Sequence, residues 1–349
     1  MRTALTDLVG VRYPVVQTGM GWVAGPRLVS AVANAGALGF LGSATMTPGR
    51  LRSAVREVRA RTDRPFGVNL RADAGDAAER VDILVEEGVK VASFALAPSR
   101  DLISRLKDAG VVVVPSVGAR RHAEKVAAWG ADAVLVQGAE GGGHTGRVAT
   151  SVLLPQVVDA VGVPVVAAGG FHDGRGLVAA LAYGAAGVAM GTRFLLTAES
   201  TVPAAVKAAY LAAAVEDVTV TTKVDGLPHR VLRTPFVTAL ERSGRAATLV
   251  RALRHAAAFG RLTGLGPGRL VRDGLALRRG KGLTWSQVLP AANTPMLLKA
   301  AMVDGRTDAG VMASGQVVGL IDDLPTCADL VARVMAEARA TLAGLPEPY

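Results

Sequence analysis

The sequence is poor in cysteine and in aromatic residues. Cys327 is the only cysteine, and aromatic side chains make up 4% of the 349 positions. A single cysteine allows no intrachain disulfide and excludes a metal site built from cysteines, and we predict no metal site. No stretch approaches the ~18 uncharged apolar residues of a membrane helix, and the first residues lack the apolar core of a signal peptide. We therefore expect a cytoplasmic protein with no membrane partner.

Charged residues are also scarce, at 19% of the chain, whereas half of the residues are apolar. This composition excludes a disordered chain, which needs low hydrophobicity and high charge. The 41 glycines and many valine-rich runs are typical of parallel α/β proteins, whose central strands are buried on both faces.

Valine-rich runs recur along the first 190 residues with helix-like segments between them. Strands that alternate with helices indicate βαβ units, and eight such units predict a closed (β/α)8 TIM barrel. A doubly wound open sheet is the alternative. The predicted strands are 14–17, 38–41, 66–70, 89–94, 111–115, 133–137, 163–168 and 187–190; the predicted helices between them are 25–35, 48–61, 77–87, 99–109, 119–129, 153–161 and 174–183.

The pattern changes after the eighth strand. Residues 197–214 read as a helix, 218–231 as an extended segment, and 283–299 and 324–343 as helices. We therefore predict a barrel formed by residues 1–215 and 290–349. Residues 216–289 would form a small, basic and mostly helical inserted domain on the substrate side.

The formal net charge of +10 comes from one part of the chain. Residues 230–281 hold twelve Arg and Lys residues and two acids, whereas the other 297 residues hold 27 of each sign. A protein that coats nucleic acid or membrane would spread its charge more widely, so this concentration indicates a local anionic partner. A solubilising face is the alternative interpretation.

Glycines follow the seventh and eighth predicted strands, where barrel enzymes often bind phosphate. Gly169 and Gly170 come directly after the seventh strand, and Gly191 and Thr192 follow the eighth. The backbone N–H groups of glycines can approach an anion closely because no side chain is in the way. The positive N-terminal end of the next helix also favours a bound anion. Tight turns that any barrel needs are the plainer explanation.

The loop after the sixth strand contains five glycines in ten residues and carries His144. An imidazole at the catalytic face suits a general base, because its ordinary pKa lies near neutrality. Amides at the ends of two other strands, Gln17 and Asn69, can read the edge of a flat heterocycle, and Met20 can pack on its face. His229, beside Arg230, is a candidate substrate contact.

The combination of residues 14–20, 34–39, 140–146, 167–170 and 190–194 resembles the nitronate monooxygenase family, formerly called 2-nitropropane dioxygenase, which includes a flavin-dependent enoyl reductase branch. The resemblance covers about residues 1–215 and resumes near 315–323. It implies an FMN-bound TIM barrel in which His144 is the catalytic histidine. Two departures are Thr18, where Gly is usual, and Gly141, where Ala is usual. The residues expected to hold FMN by this resemblance are Gln17, Gly19, Met20, Asn69, Gln137, Gly142, Gly143, Gly169, Gly170, Gly191, Thr192 and Gln316.

Residues 221–234, 284–287 and 293–296 are similar to an actinobacterial subgroup, flavoproteins of steroid ring C/D breakdown. This similarity implies oxidation of a hydrindane-dione carboxyl-CoA substrate. It agrees with the basic segment, because CoA presents several phosphates and arginine binds phosphate with bidentate geometry. His229, Arg230 and Arg233 are then the expected substrate contacts.

Three functions remain open at this point. The first is an FMN enzyme in which His144 removes an acidified C–H proton and an acyl-CoA is oxidised (desaturated). The second is a nitronate monooxygenase that oxidises alkyl nitronates with O2 at the same site. The third is a non-catalytic protein that binds nucleic acid or an anionic membrane, which we consider last. We expect no nucleic-acid partner, and the sequence allows a homodimer.

Overall fold

The computed structural model describes residues 1–95, 98–244 and 293–346. Most of the basic segment, from residue 245, and the first part of the helix predicted at 283–299 therefore lie outside the described residues. Within the described ranges, no helix combines the length and the apolar character needed to cross a membrane.

Eight parallel strands close into a barrel, which confirms the predicted fold; the open doubly wound sheet is wrong. The first strand pairs with the second and also with the last, so the sheet has no free edge. Branched and small apolar residues fill these strands and are buried on both faces. The barrel strands are β1 Val15–Gln17, β2 Leu38–Gly42, β3 Gly67–Arg71, β4 Val91–Ala95, β5 Val112–Val117, β6 Val134–Gln137, β8 Val165–Ala168 and β9 Gly187–Met190.

Helices on the outside of the barrel connect these strands. Several begin at a side-chain cap; for example, Thr47, Ser99 and Asp173 accept backbone N–H groups of the first turn. Left-handed glycines such as Gly36 and Gly110 follow the helices and let the chain turn into the next strand. The helices are α1 Ala4–Val9, α2 Pro26–Asn34, α3 Pro48–Arg59, α4 Ala77–Glu86, α5 Arg100–Asp108, α6 Arg120–Ala128, α7 Thr150–Val158 and α8 Gly174–Ala182.

Two layers of apolar side chains hold the barrel together. The inner layer fills the barrel and includes Val16, Phe40 and Val166, and the outer layer lies between the strands and the helices. Leu5 of α1 is fully buried in the inner layer. Helix α1 thus closes the amino end of the barrel and leaves the carboxyl end for the functional loops.

The segment after β9 differs from its prediction. Residues 197–214 were expected to form one helix, but the structure has α9 Thr192–Leu195 and, separately, α10 Ala204–Leu211. Pro203 lies at the start of α10, and a proline disfavours helical backbone in the residue before it. The carbonyls of Thr197 and Ser200, left outside a helix, instead accept hydrogen bonds from the buried Lys207 Nζ at 2.7 and 2.8 Å.

The predicted extended segment 218–231 is a hairpin. Its strands, β10 Val218–Thr221 and β11 His229–Leu232, pair antiparallel. Strand β11 also pairs with β7 Gly143–His144 in the loop after β6, so a three-stranded sheet forms over the barrel mouth. Helix α11 Pro235–Arg242 follows this sheet.

The C-terminal part returns to the barrel wall. After α12 Asn293–Met302, helix α13 Cys327–Ala343 packs on α8, and the Glu337 carboxylate accepts the Gly174 N–H at 2.9 Å. The Arg193 side chain is 3% exposed and donates to the Asp323 Oδ1 at 2.8 Å. Asp323 also pairs with Arg333 of α13 at 2.6 Å. The division of the chain into a barrel and an inserted domain stays a prediction.

Candidate active site

The loops after the first and eighth barrel strands meet the third strand at the carboxyl end of the barrel. Gly19 packs directly on Asn69, because a Cβ on Gly19 would lie 2.3 Å from the Asn69 Cβ. A Cβ on Gly191 would lie 3.1 Å from the Thr18 Oγ1 and 3.6 Å from the Met20 Sδ. The structure therefore brings together several residues that were predicted to hold a cofactor.

A second group of these residues lies around the loop after β6. Gly142 approaches the backbone of Gly315 so closely that a Cβ would lie 2.6 Å from the Gly315 N. The same N–H donates to the Thr192 Oγ1 at 2.9 Å, and the Gln316 N–H donates to the Glu140 carbonyl at 3.0 Å. Residues 142, 192 and 316 thus meet in space although they lie far apart in the sequence.

The loop after β8 forms a cradle without side chains. Gly169 and Gly170 have φ angles of +90° and +87°, which L side chains rarely adopt. A Cβ on Gly169 would lie 3.0 Å from the Gly141 N and 3.1 Å from the Gly138 carbonyl oxygen. Consecutive left-handed glycines beside the start of a helix suit the close approach of a phosphate group.

Two of the three predicted glutamines, Gln17 and Gln137, contact backbone carbonyls through their side chains. Gln17 is fully buried; its Nε2 donates to the Phe40 carbonyl at 3.2 Å, and its Oε1 has no partner within the described part of the chain. An unpaired amide oxygen at a strand end fits a donor on a bound heterocycle. Gln137 Nε2 donates to the His144 carbonyl at 2.7 Å. A Cβ on Gly141 would lie 2.6 Å from this Nε2, which explains glycine at that position.

His144 is held by a carboxylate that the sequence interpretation missed. The Asp225 Oδ2 lies 2.6 Å from the His144 Nε2, in a turn of the hairpin that covers the loop. The Asp225 side chain is 6% exposed and the His144 side chain is 46% exposed. Asp225 also accepts the Thr294 hydroxyl at 2.7 Å and the Leu227 N–H at 3.1 Å. An ordered carboxylate thus fixes the orientation of an imidazole that remains open to a substrate.

The Asp225 carboxylate is ionised at neutral pH. Burial acts to raise its pKa, but the hydrogen bond and charge of His144 and the hydrogen bond from Thr294 outweigh burial and lower the pKa to about 2. Burial, with a smaller contribution from His144, lowers the pKa of His229 to about 4. At neutral pH, His229 is therefore neutral and Asp225 is charged.

His229 lies directly behind His144. The two residues are paired across β7 and β11, and their ring centroids lie 4.6 Å apart. His229 is only 2% exposed, and neither ring nitrogen has a hydrogen-bond partner among the described residues. Its expected contact with the substrate stays a prediction.

Arg230 and Arg233 differ in their surroundings. The Arg230 guanidinium donates its Nε and Nη2 to the Ala139 carbonyl at 3.1 and 2.9 Å, which ties β11 to the loop after β6. Arg233 is exposed and lies just before α11, whereas Arg242 is the last residue of this helix. Both arginines line an open groove along α11. The geometry makes Arg233 the more accessible of the two predicted substrate contacts.

The loop after β1 is tied to the same region by Trp22. This residue has a φ of +66°, a conformation that costs a non-glycine residue roughly 1–3 kcal/mol. Its Nε1–H donates to the Pro295 carbonyl at 2.8 Å, next to Thr294. The first turn of α12 therefore contacts both the β1 loop and the carboxylate beside His144.

Asp225 and Thr294 were not predicted to be site residues, because both are far from His144 in the sequence. The contact from His144 to Asp225 spans 81 residues, and the contact from Asp225 to Thr294 spans 69. One signal was available: Asp225-Gly226 between two β-prone runs is a typical hairpin turn. It would have placed the carboxylate on a turn, although not beside His144.

Comparison with known proteins identifies the family of the chain. The sequence model described as nitronate monooxygenase matches residues 2–81 and 75–337. The chain belongs to the nitronate monooxygenase family. This family consists of flavin-dependent oxidoreductases, and the predicted family and enzyme class are thereby confirmed.

Relatives within and near the nitronate monooxygenase family cover nearly the whole chain. The chain is 65% identical over 338 residues (97% of the chain, 96% of the relative) to a (3aS,4S,5R,7aS)-5-hydroxy-7a-methyl-1-oxo-octahydro-1H-indene-4-carboxyl-CoA dehydrogenase of Rhodococcus jostii. It is 64% identical over 341 residues (97% and 96%) to the Mycobacterium tuberculosis protein of that name. The solved structure of FabK from Thermotoga maritima has a TM-score of 0.83 and 35% identity, with 98% of each chain covered.

Proposed function

We propose that this protein is an FMN-dependent dehydrogenase of a hydrindane carboxyl-CoA thioester, in which His144 acts as the general base. The observation that carries the proposal is the hydrogen bond of 2.6 Å between the His144 Nε2 and the buried Asp225 carboxylate, at the same end of the barrel as the glycine cradle after β8. The identity of 65% to a dehydrogenase named for such a thioester supports this substrate class.

The residues present fit FMN. The left-handed backbone at Gly169 and Gly170 leaves room for a phosphate, and the unpaired Gln17 Oε1 offers an acceptor to a ring donor. The loops carrying Gly19 and Gly191 complete this side of the site. Bound FMN supplies a two-electron acceptor for a hydride. The protein's own residues supply position and proton transfer.

His144 is oriented to take a proton through its Nδ1. Asp225 accepts a hydrogen bond at the His144 Nε2, so the ring proton stays on Nε2 and the Nδ1 lone pair is free. The carbon next to a thioester carbonyl has an acidified C–H bond, and that proton goes to Nδ1. The substrate would lose one proton to His144, and a bound FMN would supply the acceptor for the hydride, which balances a two-electron oxidation.

Replacement of His144 tests this role. His144→Ala should retain flavin and lose turnover of a hydrindane carboxyl-CoA by roughly 10²–10⁴-fold, the usual contribution of general acid–base assistance. His122→Ala is the matched control, because His122 lies on α6, one of the helices on the outside of the barrel, and was not predicted to be a site residue. Flavin reduction at the parental rate in a single turnover of His144→Ala would remove His144 from the mechanism.

The phosphate assignment has a test of its own. Gly170→Val should purify with little or no flavin, because its side chain enters the cradle beside Glu140. Gly130→Val is the control: Gly130 has a similarly left-handed φ of +96° but open space around its Cβ position. Full flavin content in Gly170→Val would refute the assignment, and flavin loss in both variants would indicate backbone strain alone.

The basic segment is proposed to dock the CoA phosphates. Among its described residues, Arg233 is exposed beside the groove along α11, whereas Arg230 is occupied by the Ala139 carbonyl. A charge-assisted contact to phosphate contributes ~1.5–3 kcal/mol, so Arg233→Gln should raise the Kd of the CoA thioester roughly 10–150-fold. Arg64→Gln, an exposed arginine just before β3 at the other end of the barrel, should leave Kd unchanged.

Oxidation of small nitronates is the second candidate function, since the matching family model carries that name. A panel of CoA thioesters and alkyl nitronates separates the two. We expect the thioester to be turned over with the higher kcat/KM and with dependence on Arg233. Preference for nitronates, unaffected by Arg233→Gln, would put the second function first.

A further inference from the structure

Three potential metal ligands meet under the hairpin that covers the barrel mouth. His144, Asp225 and His229 each offer one ligand atom, and these atoms all lie within 4.8 Å of one another. Backbone pairing of β7 with β11 fixes the two histidines, and the turn between β10 and β11 fixes the carboxylate. The cluster is therefore built into the fold and does not depend on flexible side chains finding one another.

His229 is the unusual member of this cluster. It is 98% buried by solvent accessibility, and both of its ring nitrogens lack a partner among the described residues. An unsatisfied buried polar group costs roughly 1–3 kcal/mol, so a native protein rarely keeps one without a use. The mechanism proposed above leaves these nitrogens without a role.

We propose that His144, Asp225 and His229 form an inhibitory binding site for a divalent transition-metal ion, with Zn²⁺ as the best match. Two imidazole nitrogens and one carboxylate oxygen make a common donor set for Zn²⁺, whereas Ca²⁺ and Mg²⁺ prefer oxygen alone. Zn–N and Zn–O bonds are ~2.0–2.2 Å long, which places tetrahedral ligand atoms ~3.3–3.6 Å apart. To bind the ion, the His144 Nε2 and the Asp225 Oδ2, now 2.6 Å apart, would separate by up to ~1 Å, and ligand atoms as far apart as 4.8 Å would close by up to ~1.5 Å. The half-exposed His144 ring gives the ion a route from solvent and leaves its fourth position open.

Inhibition follows from the ring chemistry of His144. An ion bound at the Nε2 uses that nitrogen's lone pair, and the single proton of the neutral imidazole then resides on Nδ1. A protonated Nδ1 cannot accept a proton from the substrate. This inhibitory consequence rests on the proposed role of His144, whereas the binding of the ion does not.

Isothermal titration of the flavin-loaded protein with ZnCl₂, in a buffer without chelators, tests the binding. We expect one ion per chain, and we expect His229→Ala to raise the Kd at least ~10-fold. His172→Ala is the matched control. His172 also faces one carboxylate, with its Nε2 3.7 Å from the Asp173 Oδ2, but it belongs to no such three-residue cluster within residues 1–95, 98–244 and 293–346. His144→Ala, a change on the half-exposed loop, provides a second variant in case His229→Ala does not fold.

Turnover measured at the same Zn²⁺ concentrations completes the test. Loss of activity that tracks occupancy and is reversed by EDTA supports the proposal. Equal Zn²⁺ affinity in the parent, His229→Ala and His144→Ala proteins would overturn it, as would a bound ion with unchanged turnover. A fully active His144→Ala protein that no longer binds Zn²⁺ would instead refute the proposed base and leave the metal site standing.

Discussion

Replacement of Asp225 by asparagine isolates the interaction that orients His144. The amide has nearly the same size as the carboxylate, so the packing of the turn is kept. Its oxygen must still accept the Leu227 N–H, which the Asp225 Oδ1 now accepts at 3.1 Å. The amide NH₂ then takes the place of Oδ2 and faces the His144 Nε2 and the Thr294 hydroxyl.

The expected loss is large because the substitution reverses the hydrogen bond. An NH₂ group donates to Nε2, so the ring proton moves to Nδ1 and the base is lost. Removal of the charge-assisted bond alone corresponds to ~1.5–3 kcal/mol, or about 10–150-fold. A carboxylate-to-amide change beside the catalytic histidine of serine proteases, which enforces the wrong tautomer, costs ~10⁴-fold. We therefore expect Asp225→Asn to slow flavin reduction roughly 10²–10⁴-fold.

Anaerobic stopped-flow reduction of the flavin by the CoA thioester measures this step directly. Thr294→Val is the graded control, because it removes one hydrogen bond of 2.7 Å to the same oxygen. A hydrogen bond to a charged carboxylate contributes ~1.5–3 kcal/mol, but His144 and the Leu227 N–H still hold Asp225 in this variant, so we expect a loss of at most about 10-fold. Flavin content should match the parent in both variants. Asp225→Asn that reduces flavin within twofold of the parental rate would refute the assigned orientation of His144.

Two further predictions concern stability and reactivity. Asp323→Ala should lower the free energy of unfolding by roughly 2–4 kcal/mol in urea titrations, because it leaves the buried Arg193 without its carboxylate partner. The range lies below that for a fully buried ion pair because Asp323 is 35% exposed. The hydrogen bond from Arg333 is the main cause that lowers the pKa of Asp323, so this stabilisation should be present at neutral pH and be lost as the pH falls below about 4. Burial raises the pKa of the Cys327 thiol to about 12. Iodoacetamide at pH 8 should therefore label this thiol only after unfolding, and rapid labelling of the native protein would contradict its burial.

The barrel could be predicted from the sequence because each of its strands and helices has a characteristic pattern of residues within its own segment. Valine runs spaced by helical segments placed all eight barrel strands to within about two residues, since burial on both faces demands continuous apolar residues. The glycine-rich loops and His144 could be predicted for a similar reason, because a loop whose backbone must be approached closely by a ligand is rich in glycine. The hairpin was not predicted, since residues 218–231 were interpreted as one extended segment that runs through the Asp225-Gly226 turn.

Contacts between distant segments limit what a single sequence can predict. Nothing near His144 indicates that its carboxylate comes from residue 225, because the pairing of β11 with the loop after β6 brings it there. Arg230 is a second example of a contact between distant segments that the sequence did not predict. Its charge predicted an external anion, whereas its guanidinium is held by the Ala139 carbonyl within the protein.

The contacts of Trp22 link two parts of the chain thermodynamically. Its indole holds the Pro295 carbonyl, and the neighbouring Thr294 holds the Asp225 carboxylate. A ligand that orders the β1 loop, such as a flavin bound against it, therefore also stabilises α12 in its observed position. Because Thr294 of α12 donates to Asp225, the same ligand helps to hold the Asp225 carboxylate. Because such coupling is reciprocal, a ligand that stabilises α12 must tighten the binding of the flavin by the same free energy.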